Sequence, residues 1–237
     1  MLTLVIGNKC YSSWSLRPWL TLKHHGIPFE EVMVPLDQPD TKARILEHSP
    51  AGKVPALKDG DVRVWDSLAI LEYLAERFPE ARLWPEDRAA RAHARAISAE
   101  MHSGFQALRR AMPMNLGKRY SAKVHPDDVT GDVKRVLEIW KTTRERFGSG
   151  GEFLFGGFSA ADAMFAPVVT RFHTYSVVTQ NDGATYEPTY EVVRDYMAAV
   201  MALPAFKAWR EAALRETWVL AHDEVDEQPI ENLRPAL

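Results

Sequence analysis

Hydrophobic and polar positions fall into two textures along the chain. The first begins with Leu2–Ile6, a short apolar run that reads as a buried strand. Gly7–Tyr11 is polar, and Ser12-Ser13-Trp14-Ser15 opens a helix through about His25. Pro18 is expected near the first turn of that helix, where a missing N–H costs least, and Gly26 and Pro28 stop it. Phe29–Val34 is a second strand, Lys42–Glu47 a short helix, and Val54–Lys58 a third strand entered through Pro55. Asp59-Gly60-Asp61 is a hairpin turn signal leading to a fourth strand, Val62–Trp65. Ser67 caps a helix with Leu68, Ile70, Leu71, Tyr73 and Leu74 on its apolar side, ending before Pro79. The predicted order is β-α-β-α-β-β-α within residues 1–80.

Residues 81–87 contain a proline and little periodicity and read as a linker. From Arg88 the pattern is helical, predicting an all-helical domain over 88–222. Its segments are Arg88–Met112, Asp127–Phe147 (with Val133, Val136, Leu137 and Trp140 at helical spacing), Ser159–Ser176, Thr189–Met201 and Pro204–Ala221. Val177–Pro188, with Asn181-Asp182-Gly183, is a long connection, and the acidic, Pro-containing tail 223–237 reads as loosely held. The expected fold class is α/β followed by all-α.

Composition narrows the function classes. The 237 residues are 46% hydrophobic, enough for a real core. A net charge of -3 gives no global pull toward nucleic acid or anionic membrane. The basic stripe Arg88, Arg91, Arg95 and Arg109-Arg110 lacks interleaved aromatics and reads as solvated or dimer-facing. Cys10 is the single cysteine, so no intrachain disulfide forms and a reducing, cytoplasmic setting is expected. The start of the chain lacks the basic opening of a signal peptide, and no apolar run approaches the length of a membrane span. Eight histidines are scattered without metal-ligand spacing, so no metal is expected. His24-His25 ends a helix, where a cation is favoured.

Three places carry candidate chemistry. A helix N-terminus offers free N–H donors and partial positive charge, which stabilise a thiolate; Ser12, Ser13 and Ser15 add hydroxyls there, or one of them is simply an N-cap. In Ser49-Pro50-Ala51-Gly52-Lys53-Val54-Pro55, a cis proline exposes the preceding backbone to an extended peptide, while a trans proline is a plain turn. Asp66-Ser67 at a helix start pairs a carboxylate with a hydroxyl, suited to both ends of an amino-acid ligand or to capping alone. Cys10 precedes the first helix by two residues and has no Cys-x-x-Cys partner.

Taken as a set over roughly residues 1–215, these motifs resemble the thioredoxin-like domain of glutathione transferases. Ser12-Ser13-Trp14-Ser15-Leu16-Arg17 is similar to the serine-rich motif of the zeta class, the maleylacetoacetate isomerases, and its bacterial relatives. Ser49–Pro55 resembles the family's Asn-Pro-x-Gly-Lys-Val-Pro segment, and Asp66-Ser67 with Leu68–Leu74 its Glu/Gln-Ser-x-Ala-Ile-x-x-Tyr-Leu. Ser159-Ala160-Ala161-Asp162 resembles its capping box in the helical domain, a folding device.

The resemblance implies a thioredoxin-like glutathione-binding domain over 1–80 and a helical domain carrying the acceptor pocket. It implies glutathione as co-substrate, a small hydrophobic electrophile, and a homodimer. Ser12 or Ser13 would donate to the glutathione sulfur, with Trp14 and Ser15 beside it. Lys53 would meet the glycine carboxylate, Val54 and Pro55 the cysteinyl backbone, and Asp66 and Ser67 the γ-glutamyl end. Met101, His102, Phe105, Gln106 and Phe172 are the acceptor-site candidates. The alternatives are a maleylacetoacetate-type cis–trans isomerase and a non-catalytic binding module. Three positions depart from the pattern: Ser49 for Asn, Asp66 for Glu or Gln, and Trp14 where the zeta class carries cysteine, which weighs against isomerisation.

Overall fold

The computed structural model of the chain describes residues 1–177 and 190–235. The first domain is built from β1 (Leu2–Ile6), α1 (Ser13–His24), β2 (Phe29–Met33), α2 (Thr41–Leu46), β3 (Ala56–Asp59), β4 (Val62–Trp65) and α3 (Ser67–Arg77). Its sheet has the order β2-β1-β3-β4. β1 runs parallel to β2 and antiparallel to β3, and β3 pairs antiparallel with β4. The register sets Val5 opposite Ala56 and Ala56 opposite Trp65. The segments just beyond these pairs therefore emerge at one edge of the sheet. They are Gly7–Ser12 after β1, Val54-Pro55 before β3, and Asp66-Ser67 after β4. The Val54-Pro55 bond is cis, so the plain trans turn is ruled out.

The second domain comprises α4 (Arg88–Ser103), α5 (Gln106–Ala111), α6 (Asp127–Phe147), α7 (Ala160–Thr174), α8 (Tyr190–Ala202) and α9 (Pro204–Leu214). Its centre is α7, buried along nearly its whole length. The alanines at 160, 161, 163 and 166 have no long side chain to hold neighbours away, and Leu16 and Leu20 of α1 join the same apolar core. One core thus spans both domains and locks the ligand edge of the sheet against the helices.

Several expectations are corrected. Pro18 lies well inside α1, beyond its first turn, so the helix runs on with one amide missing. The cap of α3 is Asp66, whose Oδ1 accepts from the amides of Leu68 at 2.9 Å and Ala69 at 3.2 Å; Ser67 is the first helical residue. The single helix expected over Arg88–Met112 is broken between α4 and α5, because Phe105 adopts a left-handed φ of 61°. At the break a Cβ on Gly104 would sit 2.8 Å from the Glu100 carbonyl oxygen. Gly104→Ala is therefore expected to cost about 1–2 kcal/mol, read as a fall of a few degrees in Tm.

His24 and His25 pack against Phe158, at ring distances of 4.3 and 6.1 Å. Burial pushes both imidazoles down, His25 to about 4, so desolvation outweighs the helix-end preference for a cation. The tail is not loose. Glu231-Asn232 pairs as β6 with β5 (Lys118–Arg119), and Glu224 accepts from Tyr11 Oη at 2.6 Å and Lys118 Nζ at 2.7 Å. Glu224, Glu227 and Glu231 are held by partners distant in the chain. The expected long connection Val177–Pro188 lies, beyond Val177, outside the described residues.

Candidate functional site

The candidate site begins at the start of α1. Ser12 occupies the N-cap position, yet its side chain makes no capping bond. Its Oγ instead lies 2.8 Å from Ser15 Oγ, which accepts from the Gly7 amide at 3.1 Å. The simple N-cap reading of the serines therefore fails: Ser12 and Ser15 bond to one another, the Ser13 amide is held by the Tyr11 carbonyl at 2.9 Å, and no side chain caps the turn. Ser12 and Ser13 are only 7% and 6% exposed, so water competes weakly for a group bound there. Ser15 is fully buried and supports Ser12 from behind.

The loop before α1 is clamped from the helical domain. Glu216 accepts from the amides of Lys9 at 2.7 Å and Cys10 at 3.1 Å. Trp209 Nε1 donates to the Lys9 carbonyl at 2.9 Å, and Leu116 N to that of Cys10 at 3.2 Å. Burial pushes the Cys10 thiol up, the reverse of what a reactive thiol needs. Cys10 is a packing residue beside Asn115.

The edge opposite α1 is formed by Asp66 and Ser67. Asp66 is held at φ 77°, a left-handed-side conformation rare outside glycine. With Oδ1 committed to the helix cap, its Oδ2 faces His102 Nε2 at 3.2 Å. Ser67 is buried, and its Oγ accepts from Arg17 Nη1 at 3.2 Å. Lys53 is exposed and Val54 half-buried beside the buried, cis Pro55.

Behind this edge stands a group of cations: the sequence pattern did not signal Arg17 or Arg171 there, and Arg109, read as solvated or dimer-facing, is half-buried against Trp14. Arg17 is fully buried; besides Ser67 it donates only to the Met164 carbonyl, at 3.3 Å, and its Nη2 has no partner. Its guanidinium lies 4.2 Å from the Trp14 ring centroid, with Arg109 on the same ring at 4.9 Å. Arg171, also buried, donates to the Met112 carbonyl at 2.8 Å and the Pro167 carbonyl at 3.2 Å. Burial first, then the Arg109 and Arg171 cations, push Arg17 well below the usual arginine range, while Arg171 falls to about 10. Among the described residues none of the three forms a salt bridge with a carboxylate. Arg17 belongs to the serine motif, but nothing in its sequence neighbours indicates that it turns inward.

The acceptor candidates do not gather into one open surface. Met101 and Phe172 are fully buried and Phe105 nearly so, all in the common core. Gln106 is exposed and donates to the Ser103 carbonyl at 3.2 Å. His102 alone reaches the edge formed by Asp66, touching Trp14 edge-on at 5.4 Å. A cavity of about 250 Å³ opens elsewhere, lined among others by Asn115, Lys118, Glu216, Glu224 and Arg234. It adjoins the Lys9–Tyr11 segment through Glu216 and Glu224. Much of its lining comes from the end of α9 and the tail, which carry no motif. Among the described residues no three His, Cys, Asp or Glu stand as a metal-holding group.

A hydroxyl-lined helix start and a cis-proline backbone at the same end of a mixed sheet, with a helical domain packed against it, define a two-domain protein of thioredoxin-like fold. The chain belongs to the glutathione S-transferase family: residues 11–77 match the model of the family's N-terminal domain and residues 88–212 that of its C-terminal domain. It is 38% identical to glutathione S-transferase Z1 of Arabidopsis thaliana over 207 residues, covering 83% of this chain and 91% of that protein. It is 30% identical to maleylacetoacetate isomerase of Rattus norvegicus over 200 residues, 82% of this chain and 85% of the relative. A Burkholderia glutathione transferase homologue, solved with bound glutathione, has the same fold, with a TM-score of 0.64 and 24% identity over 90% of this chain and 97% of that one. Glutathione-dependent activity is supported at the level of the family. No helix among the described residues is long and apolar enough to cross a membrane.

Proposed function

We propose that the chain binds reduced glutathione across the sheet edge, activates its thiol with Ser12, and directs the thiolate at a small electrophile. The uncapped start of α1 carries this reading. In the free protein Ser12 Oγ donates to Ser15 Oγ, which also accepts from the Gly7 amide; when the sulfur arrives the two hydroxyls turn, and Ser15 donates to Ser12. A hydroxyl rotates to suit its neighbours, and Ser12, satisfied by Ser15, then donates to the sulfur. The dipole of α1 favours the anion further. The thiol proton leaves to solvent. The sulfur forms the new bond to carbon, and the displaced group departs with the electron pair. One pKa unit is worth about 1.4 kcal/mol, so positioning supplies much of the remaining acceleration.

In the same reading, the exposed Lys53 meets the glycine carboxylate and Val54 pairs with the cysteinyl backbone. Asp66 Oδ2 receives the γ-glutamyl ammonium. Ser67 takes the γ-glutamyl carboxylate: Arg17 Nη1 donates to its Oγ, which keeps the Ser67 proton free to point at the ligand. A cytoplasmic homodimer completes the proposal.

A second reading is favoured by the arginines. Three buried or half-buried guanidiniums without a carboxylate partner are costly and suit an acceptor that brings its own negative charge. Glutathione-dependent isomerisation of a cis-dienoic acid has such an acceptor, and the rat relative is named maleylacetoacetate isomerase.

Calorimetry at neutral pH is expected to show glutathione uptake, and two assays separate the readings. Turnover of an uncharged aryl halide alone supports the transferase, and turnover of a cis-dienoic diacid supports the isomerase. Uptake with neither would leave a binding module, and no uptake would remove both readings.

A further inference from the structure

The Asp66 carboxylate has two oxygens with different duties. Oδ1 is occupied by the amides of Leu68 and Ala69 and fixes the start of α3. Only Oδ2 is left for a ligand, and His102 Nε2 already lies 3.2 Å from it. His102 comes from the last turn of α4, so this contact bridges the two domains. Its ring rests edge-on against Trp14 at 5.4 Å, and its Nδ1 is shielded from solvent without a partner. The left-handed φ of Asp66 and the cap bonds leave the carboxylate little freedom to present another oxygen.

We propose that His102 is a specificity-determining residue for the amino end of the tripeptide, holding Asp66 Oδ2 in the free protein and competing there with the incoming ammonium. This rests on the reading that Asp66 receives the γ-glutamyl ammonium. An ammonium and an imidazole N–H aimed at one carboxylate oxygen crowd each other. The ligand's amine therefore gains less than an unhindered carboxylate would give it. The site consequently discriminates only weakly between glutathione and a tripeptide lacking that amine. His102 sits where it sets this discrimination without touching the sulfur or the acceptor.

The test compares glutathione with its deaminated analogue, glutaryl-cysteinyl-glycine, by calorimetry at one fixed neutral pH. The preference for glutathione is the ratio of the two Kd values. His102→Phe keeps a ring against Trp14 but removes the N–H, and His102→Gln keeps an N–H donor. The preference is expected to rise about three- to fivefold in His102→Phe, the scale of one half-exposed ion pair, and to return toward wild type in His102→Gln. A purely structural role would shift both ligands alike and leave the ratio unmoved. An unchanged or reduced ratio in His102→Phe, with wild type binding glutathione normally, overturns this proposal alone. Wild-type protein that takes up neither tripeptide overturns the glutathione reading and this one with it.

Discussion

Asp162→Ala is expected to lower stability by about 3 kcal/mol at neutral pH. Asp162 is fully buried and accepts from the Leu154 amide at 3.0 Å, the Ser159 amide at 2.8 Å and Ser159 Oγ at 2.7 Å. Alanine orphans three donors, each costing about 2 kcal/mol. Against this, the variant no longer buries a carboxylate. Burial is the first cause pushing Asp162 up to about 6 from its ordinary value of 3.8, which corresponds to about 3 kcal/mol of charge burial recovered. Orphaned donors outweigh the recovered charge.

The sign of the pH dependence comes from the same shift. A carboxyl raised on folding stays protonated in the native state at pH values where the unfolded chain has already ionised. Its contribution is greatest in acid and is lost as pH rises through the interval between 3.8 and about 6. The stability gap between wild type and Asp162→Ala is therefore expected to widen as pH falls from about 6 to about 4. Urea unfolding of both proteins at pH about 4 and about 7 measures it. An equal or narrowing gap in acid would show Asp162 to be held ionised by its donors.

Ser12→Ala is expected to lower kcat/KM with a generic electrophile by about a hundredfold near pH 6.5, the scale of removing one preorganised donor to an anion. The variant loses the donor to sulfur while Ser15 keeps its bond from the Gly7 amide, so the fold is expected to persist. Without that donor, the bound thiol returns toward its ordinary pKa of about 8.5. The deficit is then a shortage of thiolate, and it is expected to shrink above pH about 9, where a free thiol ionises unaided. The ultraviolet thiolate band of the complex, tracked against pH, reports the same change without turnover. Ser13→Ala is expected to retain most activity, because Ser13 has no place in the Gly7–Ser15–Ser12 chain. Equal losses in both variants would return the assignment to either serine.

Much of this was legible from the chain because it is local. Alternating and helical periodicity reports which face of an element meets apolar neighbours, and that choice depends on residues a few positions apart. The β-α-β-α-β-β-α order and the span of α6 are visible in such patterns and recur in the structure. The clustering of Ser12, Val54-Pro55 and Asp66 at one edge was implied by family resemblance, and the strand register supplies its geometric reason.

What the tertiary structure alone decided are pairings between residues far apart in sequence. Periodicity carries no information on them, because any partner is compatible with the same local pattern. Asp66 and His102 meet across the domain boundary. Arg17 turns inward to Ser67 and the Met164 carbonyl, although a lone arginine on a helix ordinarily reads as solvated. The acidic tail finds Tyr11 and Lys118 instead of water. The chain by itself determined a thioredoxin-like sheet domain and a helical partner for it. Long-range packing chose the partner of the second Asp66 oxygen and which cations lie unpaired beneath, since burial and charge balance are properties of the folded whole.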